Sequence, residues 1–488
     1  MSGHIVIASD KFKGSLTAAE VAARLTAGLG DRACVVSLPV ADGGDGTVDA
    51  VVACGFTRVE AEVTGPTGEL VTAAYAWRPD DGPAGSGPTA VIELAEASGL
   101  RRLSAGKAAL TATSHGTGQL IAHALRRGAR RIVLGLGGSA CTDGGAGMLQ
   151  ALGARLLDDQ GRDLPPGGAA LRRLARIDLS GFLSAALVGP GSSGPGVSGL
   201  GSSGPASSGT ARGRDPEGTA ATPLADVGLT DVEFVVAGDV DNPLLGPHGA
   251  AAVYGPQKGA SHADVAILEA GLTRFARISA EVLGEPSADH EVPDVPADDR
   301  ISAAREAPGP ADGGERATAA REAPRPADGG ERGTAAPGRT PRPAPPPYAD
   351  RPGAGAAGGV GFAAMAFLGA TIRPGITYLL DLLRFDDHLE RARLVITGEG
   401  SLDAQSLRGK APVGVAEAAG RRGIPVIAVC GRRALTDEQL HAAGIRSAYA
   451  LTDLEPDPAA CMAHAGPLLE RLAVRIAAAE PEFRERPA

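Results

Sequence analysis

A short apolar run, Arg131 to Leu136, empties into a loop with glycine at 135, 137, 138, 144, 145 and 147, and a single acid, Asp143, lies in its second half. Such a segment requires a strand that stops at a sheet edge and a backbone that comes close to something else, because glycine has no Cβ to hold neighbours away. Met148 to Leu157 (MLQALGARLL) reads as the helix that follows. Its positive end would face the loop, an arrangement that holds a phosphate or carboxylate. Asp143 is then a candidate metal ligand or base. A tight strand-to-helix turn would look the same in one loop, so the reading depends on whether other loops repeat it.

They do. His4 to Ala8 (HIVIA) ends at SDKFKGS, and Leu16 to Leu29 follows with helical spacing and Ser15 as its expected N-cap. Cys34 to Val40 opens into ADGGDGT before a helix from Val48 to Cys54. Repeated strand, loop and helix predict a parallel sheet whose strand ends carry the ligand loops. Between Thr57 and Glu93 the apolar period changes to two, which predicts partly antiparallel strands. Further strands at Val232 to Val236, Leu394 to Thr397 and Pro425 to Val429 empty into AGDVDNPLLGPHGA, GEGSLDAQSLRGKAP and Cys430-Gly431. Helices are expected at Gln119 to Arg127, Phe362 to Leu368 and Pro458 to Ala478.

Two stretches hold too little apolar surface to offset the entropy of ordering them: 185–225, rich in Gly, Ser and Pro, and 286–352, in which a 16-residue unit at 303–318 recurs at 319–334. The expected fold is α/β with two α/β domains and a cleft between them. Residues 1–60 and 361–488 would form a doubly wound domain with a mainly parallel sheet, into which 61–360 is inserted.

The strand ends gather Asp10, Asp42, Asp45, Asp143, Asp239, Asp241, Glu399 and Asp403 with Lys11, Lys13, Lys258 and Lys410. Phosphoryl transfer needs this inventory: amides and lysines for phosphate charge, carboxylates for Mg²⁺, and one carboxylate to take the proton of an attacking hydroxyl. A Walker A pattern is absent, since Gly106-Lys107 and Gly409-Lys410 are both followed by alanine. Gly135, Gly137 and Ala140 fit the dinucleotide pattern G-x-G-x-x-A, with Asp158 downstream, so an NAD(P)-dependent oxidoreductase is the alternative. Against it, the glycines at 144, 145 and 147 would fall in the helix, at about 1 kcal/mol each. A non-catalytic metabolite-binding protein is a third reading. The net charge of -10 opposes phosphate-backbone binding, which excludes nucleic acid as a partner. Five cysteines without a C-x-x-C or Cys/His spacing oppose a disulfide framework or a zinc site. No apolar run reaches 18 residues and no signal-peptide pattern is present, so no membrane partner and a cytoplasmic location are expected.

SDKFKGSLTA at 9–18, PVADGGDGT at 39–47, GLGGSACTDGGAGMLQALGA at 135–154, DVDNPL at 239–244, GPQKGA at 255–260, PGAGAAGG at 352–359, ITGEG at 396–400 and LRGKAPVGVA at 407–416 resemble, in this order, the motifs of the bacterial glycerate kinases of the type-1 family. The resemblance implies transfer of the γ-phosphate of ATP, with Mg²⁺, to D-glycerate, at the 2-hydroxyl in most members. Residue chemistry within those loops makes Asp42 or Asp239 the expected hydroxyl base, and the roles that follow are read in the same way. Lys13, Lys258 and Lys410 would carry phosphate or substrate-carboxylate charge, with Lys13 in the catalytic set. Gly137, Gly138 and Ser139 would form the anion cradle, and Asn242 would join the substrate-binding set. Asp143, Asp241 and Glu399 are the metal candidates, and a homodimer is allowed for. The chain departs from the pattern at Lys11, where serine is usual, at Asp45, where glutamate is, and at Cys141-Thr142, which replace Thr-Asn.

Overall fold

The computed structural model describes residues 3–79, 87–184, 232–284, 348–407 and 409–483. The Gly/Ser/Pro-rich stretch at 185–225 and the tandem repeat at 303–334 lie outside them. The chain begins with β1 (His4–Ser9) and β2 (Val35–Ser37), then runs through β3 (Thr57–Thr64), β4 (Leu70–Arg78), β5 (Thr89–Glu93) and β6 (Arg131–Gly135). β7 (Arg155–Leu157) and β8 (Arg176–Asp178) form a separate antiparallel pair. β9 (Glu233–Ala237), β10 (Thr371–Arg373), β11 (Ala392–Leu402), β12 (Val426–Arg433) and β13 (Ser447–Ala450) complete the strands.

The first sheet has the order β13-β12-β11-β1-β2 and is parallel throughout. Ile5, Val6, Ile7 and Ala8 of β1 are fully buried, as befits a central strand covered on both faces. The chain goes outward from β1 to β2, then returns on the other side of β1 to build β11, β12 and β13. The strand order therefore reverses between β1 and β11, where open parallel sheets leave a crevice at the strand ends.

The second sheet has the order β10-β9-β6-β5-β4-β3. β3, β4 and β5 pair antiparallel, as their period of two predicts, and β5, β6, β9 and β10 are parallel. The two sheets share one apolar cluster: Val6, Ala8 and Val395 of the first join Ala76, Val91, Val133 and Ala237 of the second, with Val48, Val51, Ile376 and Leu379 from the helices Thr47–Ala53 and Gly375–Leu382 between them.

Several local expectations shift. The first helix is Ala18–Leu29 with Thr17 as N-cap, because Glu20 completes a capping box with it, whereas the Ser15 hydroxyl donates to the Phe12 carbonyl in the preceding turn. The helix after the central loop is only Ala146–Ala151; Gly153 takes φ +98°, and Arg155–Leu157 becomes β7. The C-terminal helix is two, Pro458–Ala463 and Ala465–Ala479. The second sheet extends past residue 360, since Thr371 to Arg373 pair in parallel with Val235 to Ala237. The weak stretch ends before 352: Ala349 is buried and its carbonyl accepts the Leu244 N–H, while the Arg351 guanidinium lies over the Tyr348 ring.

Candidate active site

The ends of β1, β2, β11 and β12, with the segment after β13, converge on one cleft of about 550 Å³. Its walls carry Asp10, Lys11 and Lys13 after β1, Asp42 and Asp45 after β2, Glu399, Ser401 and Asp403 on and after β11, Lys410, and Arg432 of β12. Gly137 and Gly138 enter from the second sheet, beyond the end of β6. The approach is close: a Cβ at Gly137 would overlap the Gly44 backbone, and one at Gly135 the Gly43 carbonyl. These two glycine runs are required because two loop backbones cross without side chains between them.

Three carboxylates crowd the reversal point. Burial pushes the Asp10 carboxyl up to about 7 against the opposing pull of Lys11, and Asp42 and Glu399 push it further. Burial also raises the Glu399 carboxyl, offset in part by the Ser406 hydroxyl and the Lys410 ammonium and reinforced by Asp403 and Asp42. Its Oε2 stands 3.9 Å from the Lys410 Nζ, while its buried Oε1 accepts no hydrogen bond. A buried carboxylate oxygen without a partner is costly, and the donor set fits a divalent cation. Among the described residues no three acidic, His or Cys side chains gather in a metal-holding group.

Asp239, beyond β9, accepts the Gly375 N–H at 3.0 Å. Burial, opposed by that hydrogen bond and reinforced by Asp42, pushes its carboxyl up to about 6. Gly375 is itself pressed on the other acid, since a Cβ there would overlap the Asp42 carbonyl oxygen. Asp42 Oδ1 accepts the Gly44 N–H at 3.0 Å, which holds its loop in a tight turn.

Of the residues singled out in the sequence, Lys13, Asp42, Gly137, Gly138, Glu399 and Lys410 line the cleft, and Asp239 neighbours Asp42. The others do different work. Asp143 is buried: its Oδ1 accepts the Gly145 N–H at 3.1 Å, and its Oδ2 accepts the Ser114 N–H at 2.8 Å, the Ser114 hydroxyl at 2.9 Å and the Gly147 N–H at 3.2 Å. It ties the starts of the helices His115–Arg126 and Ala146–Ala151 together, away from the cleft lining. Lys258 is also buried, and its Nζ donates to the Cys141 carbonyl at 2.5 Å; burial lowers its pKa, with Cys141 and Asp143 opposing. Ser139 is buried in a bridge to Gly99. Asp241 is exposed away from the cleft lining, and Asn242 braces its own loop, donating to the His248 carbonyl at 2.8 Å and accepting the Tyr254 hydroxyl at 2.6 Å.

The dinucleotide alternative fails on the same atoms. The helix start that a pyrophosphate would need is filled by the Asp143 carboxylate, and Asp158 accepts the N–H groups of Gln160 and Arg162 in the turn after β7. Asp10 and Arg432 were not given roles in the sequence. Asp10 stood in the motif without a distinguishing signal, and Arg432 is marked only by its place just past the apolar core of a strand. Arg101, whose guanidinium reaches Asp45, Glu93 and Glu96, lies in LRRLSAGK, where nothing sets it apart.

The Glycerate kinase family model matches residues 5–187, 219–314 and 341–480. The chain belongs to the glycerate kinase family. It is similar to the glycerate kinase of Bacillus subtilis (strain 168), 35% identical over 479 residues and covering 97% of each chain. It is also similar to the glycerate 2-kinase of Escherichia coli (strain K12), 37% identical over 455 residues, 92% of this chain and 90% of the relative. The crystal structure of a candidate glycerate kinase 2 from Salmonella typhimurium LT2 matches at a TM-score of 0.66 and 34% identity, covering 98% of both chains. Among the described residues no helix is long and apolar enough to cross a membrane.

Proposed function

We propose that the chain transfers the γ-phosphate of ATP to the 2-hydroxyl of D-glycerate, giving 2-phospho-D-glycerate and ADP. The observation that carries this reading is the cleft that gathers Asp42, Lys13, Lys410, Asp10 and Glu399, with Asp239 beside Asp42 just outside its lining. The glycerate 2-hydroxyl oxygen attacks the γ-phosphorus, the bond to the β,γ-bridging oxygen breaks, and ADP carries away the electron pair. The hydroxyl proton passes to a carboxylate. Asp239, with its pKa raised to about 6, is suited to accept it near neutral pH, and Asp42 is the neighbour that keeps it raised. Lys13 and Lys410 bring positive charge to the phosphates, and the Gly137 and Gly138 backbone, in the cleft wall from the second sheet, meets the substrate. Glu399 and Asp10 are the residues that would hold Mg²⁺, which when bound neutralises phosphate charge.

The name of the Escherichia coli relative, glycerate 2-kinase, supports the 2-position. The test is an ATP and Mg²⁺ assay with D-glycerate, with the product assigned by ³¹P NMR. Wild type is expected to give 2-phosphoglycerate, with turnover falling at least 100-fold in Asp239→Asn. A loss confined to Asp42→Asn would move the base to that residue, and 3-phosphoglycerate as product would overturn the assigned position.

A further inference from the structure

The cleft is polar at one end and apolar at the other. Next to the second sheet it is lined by the acids and lysines that follow β1, β2 and β11. Beyond β12 the lining changes to Leu451, Pro458, Cys461, Met462 and Ala465, from the segment after β13 and the two C-terminal helices. Of the exposed large apolar side chains among the described residues, Met462, 55% exposed, is the one that lines the cleft. Its Cε lies close enough to Gly14 that a Cβ there would stand 3.2 Å away, so the thioether reaches toward the loop after β1. Cys461 turns its thiol inward to the Glu455 carbonyl at 3.0 Å, leaving the shelf apolar.

Resting on the kinase reading, we propose that this shelf, with Met462 as its central contact, holds the adenine nucleoside of the donor, and that Arg432 faces its inner phosphates. Strands in a sheet lie about 4.8 Å apart, so the four steps from β13 to β2 span about 19 Å. That is long enough to lay out base, ribose and three phosphates in line, with the terminal phosphate arriving at Asp42. Arg432 stands between the two ends and pairs with no carboxylate among the described residues, so its charge is available for an anion. A flat purine suits a polarisable thioether and an aliphatic floor, because an apolar side chain gains most from a ring it can cover.

Two measurements test the assignment. Met462→Asp places a carboxylate on the shelf; the KM for ATP is expected to rise about tenfold or more, with a much smaller change in kcat at saturating ATP and in the KM for D-glycerate. Met462→Leu should recover most of the lost ATP affinity. In Met462→Trp, the introduced indole should change emission on titration with ADP and not with inorganic tripolyphosphate, against the background of the native Trp77, which is buried in β4. A Met462→Asp variant that weakens D-glycerate and leaves ATP untouched, or an indole blind to ADP, overturns the subsite. The KM readout requires wild type to phosphorylate D-glycerate with ATP, whereas the ADP titration does not; if wild type shows no turnover the kinase reading itself has failed, and the two failures are thereby told apart.

Discussion

Asp143→Asn separates two roles that an acid in a glycine-rich loop can have. The carboxylate accepts five hydrogen bonds, from Gly145 and Gly147 N–H, from the N–H and hydroxyl of Ser114 and, at 3.4 Å, from the Thr113 hydroxyl. In the asparagine the best placement puts the new NH₂ where only Gly145 donates, leaving one buried N–H facing a donor, at about 1–3 kcal/mol. The other four bonds lose their ionic acceptor, and a charged acceptor is worth about 1 kcal/mol more per bond than a neutral one, the long Thr113 bond less. The sum is about 5 kcal/mol. At about 2 °C per kcal/mol for a unit larger than about 250 residues, melting should fall by about 10 °C. Lys258 adds a second check. Its buried ammonium is held up by Asp143, so removing that charge strands it. Asp143→Asn combined with Lys258→Met should therefore cost less than the two single losses added, a coupling of about 1–3 kcal/mol by double-mutant cycle. Thermal melts followed by circular dichroism measure all of this. A single variant that melts within 2 °C of wild type while its Mg²⁺ requirement climbs tenfold would refute the structural role and restore Asp143 as a metal ligand.

Glu399→Gln should raise the Mg²⁺ concentration for half-maximal activity about tenfold, without lowering the melting temperature, because the buried, unpartnered Oε1 of the carboxylate costs the fold rather than supports it; an unchanged Mg²⁺ profile in a titration of activity would remove Glu399 from the metal set. Glu93 is buried against the Gly46 and Val48 N–H groups, and burial, opposed by Arg101 and reinforced by Asp45 and Glu96, pushes its carboxyl up to about 8. Its folded pKa lies above the unfolded one, so the folded state holds the extra proton and stability falls as pH rises from about 4.5 to about 8. Glu93→Gln should flatten that part of the melting-temperature profile and gain on wild type above pH 8; profiles that stay parallel would refute the linkage. Gly375→Ala drives a methyl into the Asp42 carbonyl, so kcat should fall at least tenfold with a smaller change in the KM for ATP, and a wild-type rate would show that the position of Asp42 is not critical.

The loops of the site were legible because their signal is local: an apolar run that stops, glycine, then an acid or a lysine. β1, β6, β9 and β12 were found within a few residues on that basis. Short elements that exist only through distant pairing were not. Thr371 to Arg373 carry no pattern of their own and become strand because β9 offers a free edge; Arg155 to Leu157 follow a glycine and find Arg176 to Asp178. The same limit governs the site. Within the central loop, Gly137 is there so that the loop after β2 can pass, whereas a Cβ at Gly144 would press on Phe275 and one at Gly145 on Ala363, so those glycines serve the packing of two helices. One glycine-rich run thus contains a cleft wall and a core joint, and its letters do not divide them. The division is made by Ser114, whose N–H and hydroxyl arrive 29 residues upstream of Asp143 and claim it.

Lys11 and Asp45 show the same logic from the other side. Each departs from the motif that this chain otherwise follows, and taken separately each looks like an unexplained charge change. In the fold the Lys11 ammonium donates to the Asp45 carbonyl and lies 3.9 Å from its carboxylate, which in turn meets Arg101. The added cation sits beside an acid already held by a second cation, so neither change leaves an isolated charge on the cleft wall. Because both side chains are partly solvated, the pair is worth about 1 kcal/mol at most to stability. Its weight falls on the electrostatics of the cleft, where Lys11 also opposes the rise in the Asp10 pKa. Replacing Lys11 by serine should therefore leave melting nearly unchanged and push the Asp10 carboxyl higher, an effect readable as a shift of the Asp10 carboxyl resonance with pH and absent if the lysine serves the surface alone.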